Sequence, residues 1–592
     1  MNIANIDWII IIVFLFITLM IGLIVSKKSA ESSSQFFLSG RNMPWWLLGV
    51  SMVATTFSTD TPNFVTDIVR KDGVSANWEW WVFLITGLLT VFVYAKLWRN
   101  SNVKTDMEFY ELRYSGKPAK FLRAFRALYL GFLFNIFAMS GVTLAAIKIG
   151  GIMLGLEPWE TILYAGTVVV VFSTVGGFKG VVYTDFILFF TAMFGSIASA
   201  YYLINLPEIG GIEALLSHKN VINKLSILPD FNNSNAIITL LIIPLSVQWW
   251  STWYPGSEPG GGGYIAQRML AAKDKKHAIG ATFFFNIMHY ALRPWPWILV
   301  ALASLVVFPD ITSISEAFPV ISKDKLGNDL AYSAMLTKLP TGLLGIVLAS
   351  LVAAYMSTIS THLNWGSSYI VNDFYLQHIN KNASEKELVR VGRLSTIILM
   401  IFSAFFALYL QNAKQLFDII IMFGAGTGLI FILRWFWWRI NSWSEISAMF
   451  SSGIVSILFN TPSVHSFLFG SNGIMPEYMI LPIIVLITTV VWLLVTLITP
   501  PEDNKVLLNF YKKTNPGGPG WKKIVDNQQI QTDNWSVPSG ILAMLLSLVM
   551  IYSLLFFTGY LIYGKLYLAG ILLFIALTTL YFLSKIWKNI SK

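Results

Sequence analysis

The sequence predicts an all-α polytopic membrane protein with about 15 transmembrane helices. Three observations carry that prediction. The 592-residue chain is 55% hydrophobic and only 12% charged, where a soluble domain carries about 25% charged residues. Its apolar residues gather in long continuous runs, and a membrane helix needs about 20 of them in a row. Its 41 Lys and Arg residues distribute unevenly once those runs are threaded back and forth across a bilayer. The same composition excludes several function classes. With no cysteine, a disulfide scaffold, a Cys-ligated zinc or iron–sulfur site and a Cys nucleophile all fall away. The hydrophobicity excludes disorder.

The runs lie near 6–26, 45–69, 77–98, 125–155, 160–177, 182–205, 236–256, 278–308, 341–376, 391–411, 414–438, 444–461, 478–499, 538–558 and 562–586. A closed barrel would show short alternating strands instead. The first run is preceded by Asn2, Asn5 and Asp7 and followed by Lys27 and Lys28. A signal peptide wants its positive charge in front, so this run reads as a retained helix with the N-terminus outside. Threading all 15 runs from that start puts 30 of the 41 basic residues on the inner side and nine on the outer, with Lys148 and Arg293 inside spans. Basic residues concentrate on the cytoplasmic side, and one missed span would invert everything after it. The net charge of +10 therefore reads as orientation, with no nucleic-acid partner implied and the C-terminus cytoplasmic. The longest loop, near 500–537, contains Asn515-Pro516-Gly517-Gly518-Pro519-Gly520 and reads as a basic cytoplasmic linker. No loop has room for a soluble catalytic domain.

Two spans are interrupted. The second reads Ala54-Thr55-Thr56-Phe57-Ser58-Thr59-Asp60-Thr61-Pro62-Asn63, polar in its middle with a proline. The seventh ends in Trp253-Tyr254-Pro255-Gly256-Ser257-Glu258-Pro259 followed by Gly260 to Gly263, which cannot continue a helix. Broken backbone inside a membrane is tolerated only where it is buried or lines a cavity. The two spans are five apart, so they cross in opposite directions, and paired broken helices in inverted repeats point to a transporter binding site.

The ninth span carries Ser357, Thr361, Asn364 and Ser368 at i, i+4, i+7 and i+11, on one helical face. Ser357, Thr358, Ser360 and Thr361 put four hydroxyls within five residues, beside Ala354. Hard cations want such oxygens, and a lone hydroxyl would instead bond back to its own helix. Further ionisable groups within spans are Asp60, Glu79, Lys148, Asp185, Glu258, Arg293 and Arg434. Each costs about 2.5–3.5 kcal/mol to insert on translocon scales and is a functional candidate by default. Arg434 can snorkel, and Arg293 reads equally as a counter-ion or an interfacial anchor. Gly424-Ala425-Gly426-Thr427-Gly428 has no preceding strand, so it reads as helix packing or a hinge, not a nucleotide loop. The alternatives left open are an ion channel or a solute sensor, and a membrane-embedded redox enzyme. The last is disfavoured because only His289 and His362 of six histidines lie well inside spans, and no zinc-protease or serine-hydrolase motif occurs.

At these residues the chain resembles the sodium:solute symporter family, the group of sodium/glucose, sodium/proline and sialic-acid symporters. The resembling pieces are Phe36-Phe37-Leu38-Ser39-Gly40-Arg41 with Pro44-Trp45-Trp46; Thr105 to Tyr114; Gly176-Gly177-Phe178 through Asp185; Tyr264-Ile265-Ala266-Gln267-Arg268 with Ala271-Ala272-Lys273; and Ala353 to Thr361 with Asp373 and Tyr375. The resemblance implies the inverted five-plus-five repeat of the leucine transporter, with one leading helix and four trailing helices. The expected division is 1–44, leading helix and cytoplasmic loop; 45–205, first repeat; 206–235, extracellular loop; 236–440, second repeat; and 441–592, trailing helices. It implies alternating-access symport of a small organic solute, a sugar or polyol or a small carboxylate or amino acid, with no enzymatic activity. The expected location is a bacterial inner (plasma) membrane. A sodium ion is implied at the backbone oxygens of Ala54 and Phe57 with Ala354, Ser357 and Thr358. A second sodium is implied at Asp185, Ser357, Ser360 and Thr361. Asp60 and Thr61 stand where sugar symporters carry an acid and an amide, and Glu79 matches an acid that binds sugar hydroxyls. Thr56, Glu258 and Arg293 complete the expected solute contacts. The chain departs from the family in the Pro255–Gly263 insertion and in an eleventh span, Ile419 to Gly428, with no polar side chain for a sugar.

Overall fold

The computed structural model describes residues 3–25, 32–252, 257–319, 321, 325–410, 413–470, 473–526 and 535–590. These residues are helical and connecting, with no strand among them beyond an isolated Met43–Ala272 bridge. Lys27, Lys28, Lys323 and Lys592, which enter the charge count, and Trp253 to Gly256, at the head of the expected break, lie outside the described residues.

Every expected span coincides with helix, yet only ten helical stretches among the described residues are long and apolar enough to cross a membrane unaided. The differences are physical. The second span is two half-helices, Trp45–Thr56 and Asp60–Asp72. The seventh is likewise divided, helical over 234–248 and again over Gly263–Ala271. The fifth and sixth form one helical run, Pro158–Ile204, bent at Gly177, whose φ of 56° favours glycine. The eleventh is interrupted between Ala413–Ala425 and Gly428–Leu433. The twelfth, Ser442–Asn460, is serine-rich.

Local sequence sets these boundaries. Pro62 is accommodated in the first turn of its half-helix, where no backbone N–H is needed. Pro158 opens the fifth span behind a Glu157–Glu160 capping box. The glycine run in the eleventh span allows close approach: a Cβ on Gly424 or Gly428 would overlap the backbone at Thr252 or the carbonyl oxygen of Trp250. The interruption of the eleventh span thus packs directly against the break of the seventh.

The leading helix Asn5–Val25 lies against 158–204 and the ninth span, Leu343–Tyr369. Asp7 Oδ1 fixes it there by accepting from Gly342 N and Gly345 N, each at 2.7 Å. At the other end of the chain, Val537–Ile562 and Leu566–Ile590 pack on each other. Tyr552 donates to the Trp81 carbonyl at 2.9 Å, and Trp295 Nε1 to that of Leu555 at 2.9 Å, joining this pair to the third and eighth spans.

The stretch expected to be a plain linker is more than that. Residues Asn504–Thr514 form a helix, and Trp521 is fully buried. Trp521 Nε1 donates to Trp435 O at 2.8 Å, and Arg113 is sandwiched among Tyr114, Phe510 and Trp521, with ring centroids 5.0–5.4 Å away. Apolar burial of Phe510, Tyr511 and Trp521 within a basic segment caps this end of the bundle.

Candidate functional site

The second span stops helically at Thr56, where Phe57 turns to φ −91°, ψ 83°. The last carbonyls of a helix lack intrahelical partners; here Phe57 N caps those of Val53 and Ala54, at 2.9 and 3.1 Å, and the Thr55 carbonyl is presented in the middle of the protein. The ninth span meets it. The Thr358 hydroxyl donates to Thr55 O at 2.7 Å, and the Ser357 hydroxyl to Asp185 Oδ1 at 2.6 Å. With both protons so directed, each hydroxyl oxygen keeps lone pairs for a cation. Ala54 and Phe57 lie at the end of the half-helix, and Ala354 one turn before Thr358. All five residues are buried. The donor set is neutral oxygen throughout, with the Asp185 carboxylate behind it, which suits a hard cation.

Asp185 accepts directly from Ser51 and Ser357, and the other two expected second-site hydroxyls, Ser360 and Thr361, bond its neighbours instead. Asp185 Oδ2 accepts from Ser51 Oγ at 2.5 Å. Thr361 Oγ1 lies 3.0 Å from Thr55 Oγ1, and the Ser360 hydroxyl donates to the Ser357 carbonyl at 3.2 Å. Asn364, next on the stripe, accepts from Gln267 Nε2 at 3.0 Å, while Ser368 bonds to its own helix at Trp365 O. The stripe therefore faces the sixth span and the second half-helix of the seventh. Sequence reasoning placed Arg268 among the loop charges, because the seventh span was expected to end at 256. The structure corrects this: Gly263–Ala271 is buried along its length and carries Arg268 into the same oxygen cluster.

The expected solute contacts divide into three groups. Thr56, Asp60 and Arg293 come together. Arg293 Nη1 donates to Thr56 Oγ1 at 3.1 Å, with His289 Nδ1 3.2 Å from the same hydroxyl. The guanidinium lies over Phe57 and Trp297, 5.8 and 5.1 Å from their ring centroids. Among the described residues, Arg293 Nε and Asp60 Oδ1 are buried without hydrogen-bond partners. Unpaired buried donors and acceptors cost about 1–3 kcal/mol each, so a group that bonded either atom would remove that cost. Thr61 is half-buried, its hydroxyl 3.5 Å from Thr56 O.

Glu79 stands apart. It lines a cavity of about 650 Å³ together with Gln248, Asp418, His465 and Glu477. Gln248 Nε2 donates to the Glu79 carbonyl at 2.7 Å, tying the first half of the seventh span to the third.

Glu258 does not join the solute cluster. It is buried and ion-paired with Arg126, inside a network that sequence reasoning missed. Arg126 Nε also donates to Tyr110 Oη at 3.0 Å, and Arg434 contacts Tyr110 Oη and Glu445 at 3.1 and 3.2 Å. Asp106 accepts from Gly263 N at 2.8 Å and from Tyr369, and Trp98 Nε1 donates to Gly260 O at 2.6 Å. Arg123 and Thr105 both bond Asp373. Gly260 and Gly261 hold positive φ there, 85° and 82°. Residues 257–263 thus form a strap bonded to the third and fourth spans and, through Asp106, to Tyr369 of the ninth. Cavities on either side of Glu258 hold about 20 Å³ each, room for a single water. Arg434 is paired, not snorkelling, and Lys148 pairs with Asp329. The signal for this network was the cluster Tyr110, Arg113, Arg123 and Arg126, which reads equally well as loop charge.

A model of the sodium:solute symporter family matches residues 36–452. The sodium/glucose cotransporter of Vibrio parahaemolyticus is 25% identical over 477 residues, 76% of this chain and 84% of that protein. Human sodium/myo-inositol cotransporter 2 is 26% identical over 481 residues, 74% of this chain and 68% of that one. A solved structure of a Na+-coupled sialic acid symporter, in a substrate-bound outward-open state, superposes with a TM-score of 0.66 at 19% identity. That alignment covers 85% of this chain and 100% of the other, and it shows the shared fold.

Proposed function

Because the chain belongs to the sodium:solute symporter family, we propose that it couples sodium entry to uptake of a small polyhydroxylated solute, a sugar or polyol. The observation that carries this reading is the meeting of the broken second span with the ninth, where Ser357 and Thr358 bond Asp185 and Thr55 while keeping their lone pairs. Sodium is a transported ion here, not a resident cofactor. It binds at Ala54, Phe57, Ala354, Ser357 and Thr358 and holds the second and ninth spans together. Asp185, Ser357, Ser360 and Thr361 form a second candidate cation set.

The solute binds beside the break. Asp60 accepts from a hydroxyl, Arg293 donates to a ring or hydroxyl oxygen, and Trp297 and Phe57 offer apolar faces. Glu79 lines a separate cavity of about 650 Å³. The named relatives, glucose and myo-inositol cotransporters, support a hydroxylated solute. A second reading, a small carboxylate, rests on the unpartnered Nε of Arg293. The strap around Glu258 closes the opposite side and releases on the inward step. The basic ends, with Arg41, Lys104, Lys120 and Lys512, face the cytoplasm of a bacterial cell, the N-terminus lies outside, and each 100 mV adds about 2.3 kcal/mol per charge carried inward.

A panel of labelled monosaccharides, polyols and small carboxylates in proteoliposomes, with and without an inward sodium gradient, tests this. The expected result is sodium-dependent concentration of a hydroxylated solute. Uptake restricted to carboxylates selects the second reading, and no sodium-dependent uptake of any class overturns both.

A further inference from the structure

The Asp185 cluster contains a cation of its own. Arg268 is fully buried, and its Nη2 lies 3.7 Å from Asp185 Oδ2. The guanidinium donates to Ser51 Oγ from Nε and Nη2, at 3.1 and 3.0 Å, and Ser51 in turn donates to Asp185. Nη2 also donates to Thr361 Oγ1 at 2.8 Å and reaches Thr55 Oγ1 at 3.3 Å. Nη1 returns to Tyr264 O and Gln267 Oε1, at 3.4 and 3.3 Å, and the Phe178 and Tyr264 rings flank the group. Asp185 Oδ1 and Oδ2 are taken by Ser357 and Ser51, and Thr361 by the arginine. Of the expected second-sodium oxygens, Thr361 Oγ1 is therefore held by the arginine, and the carboxylate charge is already balanced. A sodium placed among them would also face a like charge inside a low-dielectric interior, where repulsion is strong.

We propose that Arg268 is the resident cation of the Asp185 site, so that its guanidinium and a second sodium exclude one another. The chain then binds one sodium at the Ser357–Thr358 site, and a second ion enters only if the half-helix Gly263–Ala271 withdraws. This deepens the sodium-coupled reading above and rests on it. It also gives the second half of the seventh span a direct hold on the ninth, through the pair Arg268–Thr361.

The test is equilibrium binding of radioactive sodium to the purified full chain in nanodiscs, with folding followed by size-exclusion profile and thermal midpoint. Wild type is expected to bind one sodium per chain with a Hill coefficient near one. Arg268→Gln and Arg268→Met are expected to bind two, with the coefficient rising above one. Arg268→Gln combined with Asp185→Asn returns to one, and Arg268→Lys, which keeps the charge, stays at one. Two sodium ions bound by wild type, or one bound by well-folded Arg268→Gln and Arg268→Met, overturns the proposal. The wild-type count stands even if the neutral variants do not fold. Absence of any saturable sodium binding by wild type would instead overturn the sodium-coupled reading itself, so the two failures are distinct.

Discussion

Thr358→Ala removes one of the five oxygens proposed for sodium, and its consequence follows from the geometry. The Thr358 hydroxyl gives its proton to Thr55 O at 2.7 Å, leaving its lone pairs for the ion. Losing a polar partner to a charged group costs about 1.5–3 kcal/mol. At about 1.4 kcal/mol per decade, that raises the half-saturating sodium concentration roughly 10- to 100-fold. Thr55 O also loses a donor, which takes about 1 kcal/mol from stability. Thr358→Ser keeps the oxygen and is expected to stay within a few-fold of wild type, whereas Thr358→Val keeps the shape and loses the oxygen. Initial uptake rates against sodium concentration, at fixed solute, give the number. Equal sodium dependence in wild type, Thr358→Val and Ser357→Ala would refute the assignment of this site.

Four other outcomes follow. Asp60→Asn and Arg293→Met should each raise the solute concentration for half-maximal uptake by at least tenfold while sodium still binds, as read by sodium binding without solute. Glu258→Gln leaves Arg126 a buried charge without its carboxylate, a loss of about 3–5 kcal/mol when one partner is removed. A clear fall in the thermal-inactivation midpoint is expected, reversed in part by Arg126→Gln in the same chain. Gly428→Ala drives a methyl into the Trp250 carbonyl and should destabilise the chain, whereas Gly155→Ala, with nothing near its Cβ, meets only the strain of a left-handed φ of 65°. Because the chain has no native cysteine, single cysteines report orientation cleanly: Asn232→Cys should react with a membrane-impermeant thiol reagent in intact cells, and Lys512→Cys only after permeabilisation.

The sequence made the spans legible because a bilayer demands long apolar runs, and it made the breaks legible because Pro62 and Gly260 to Gly263 cannot be hidden in a helix. The hydroxyl stripe on the ninth span was also readable, since i, i+4, i+7 spacing fixes a face from local order alone. What that face meets was not readable. Arg268 and Ser51 are 217 positions apart, and Arg126 and Glu258 are 132 apart. Local patterning carries no information about such pairings, so both arginines read as loop charges. The same limit hid the Phe510–Trp521 cap, whose aromatics are unremarkable until Arg113 lies among them. Among the described residues ten helices are long and apolar enough to cross a membrane unaided, and the interrupted second and seventh spans are the ones that bring the Thr55 carbonyl, Arg268 and the strap together.

Whether a sodium gradient drives solute accumulation through this chain is read from solute uptake into proteoliposomes loaded with potassium, diluted into sodium, and then treated with a sodium ionophore. Sodium coupling gives a transient overshoot above the external concentration that collapses when the ionophore is added and is absent when potassium replaces sodium outside. Uptake that only equilibrates, at the same rate in sodium and in potassium, would contradict it.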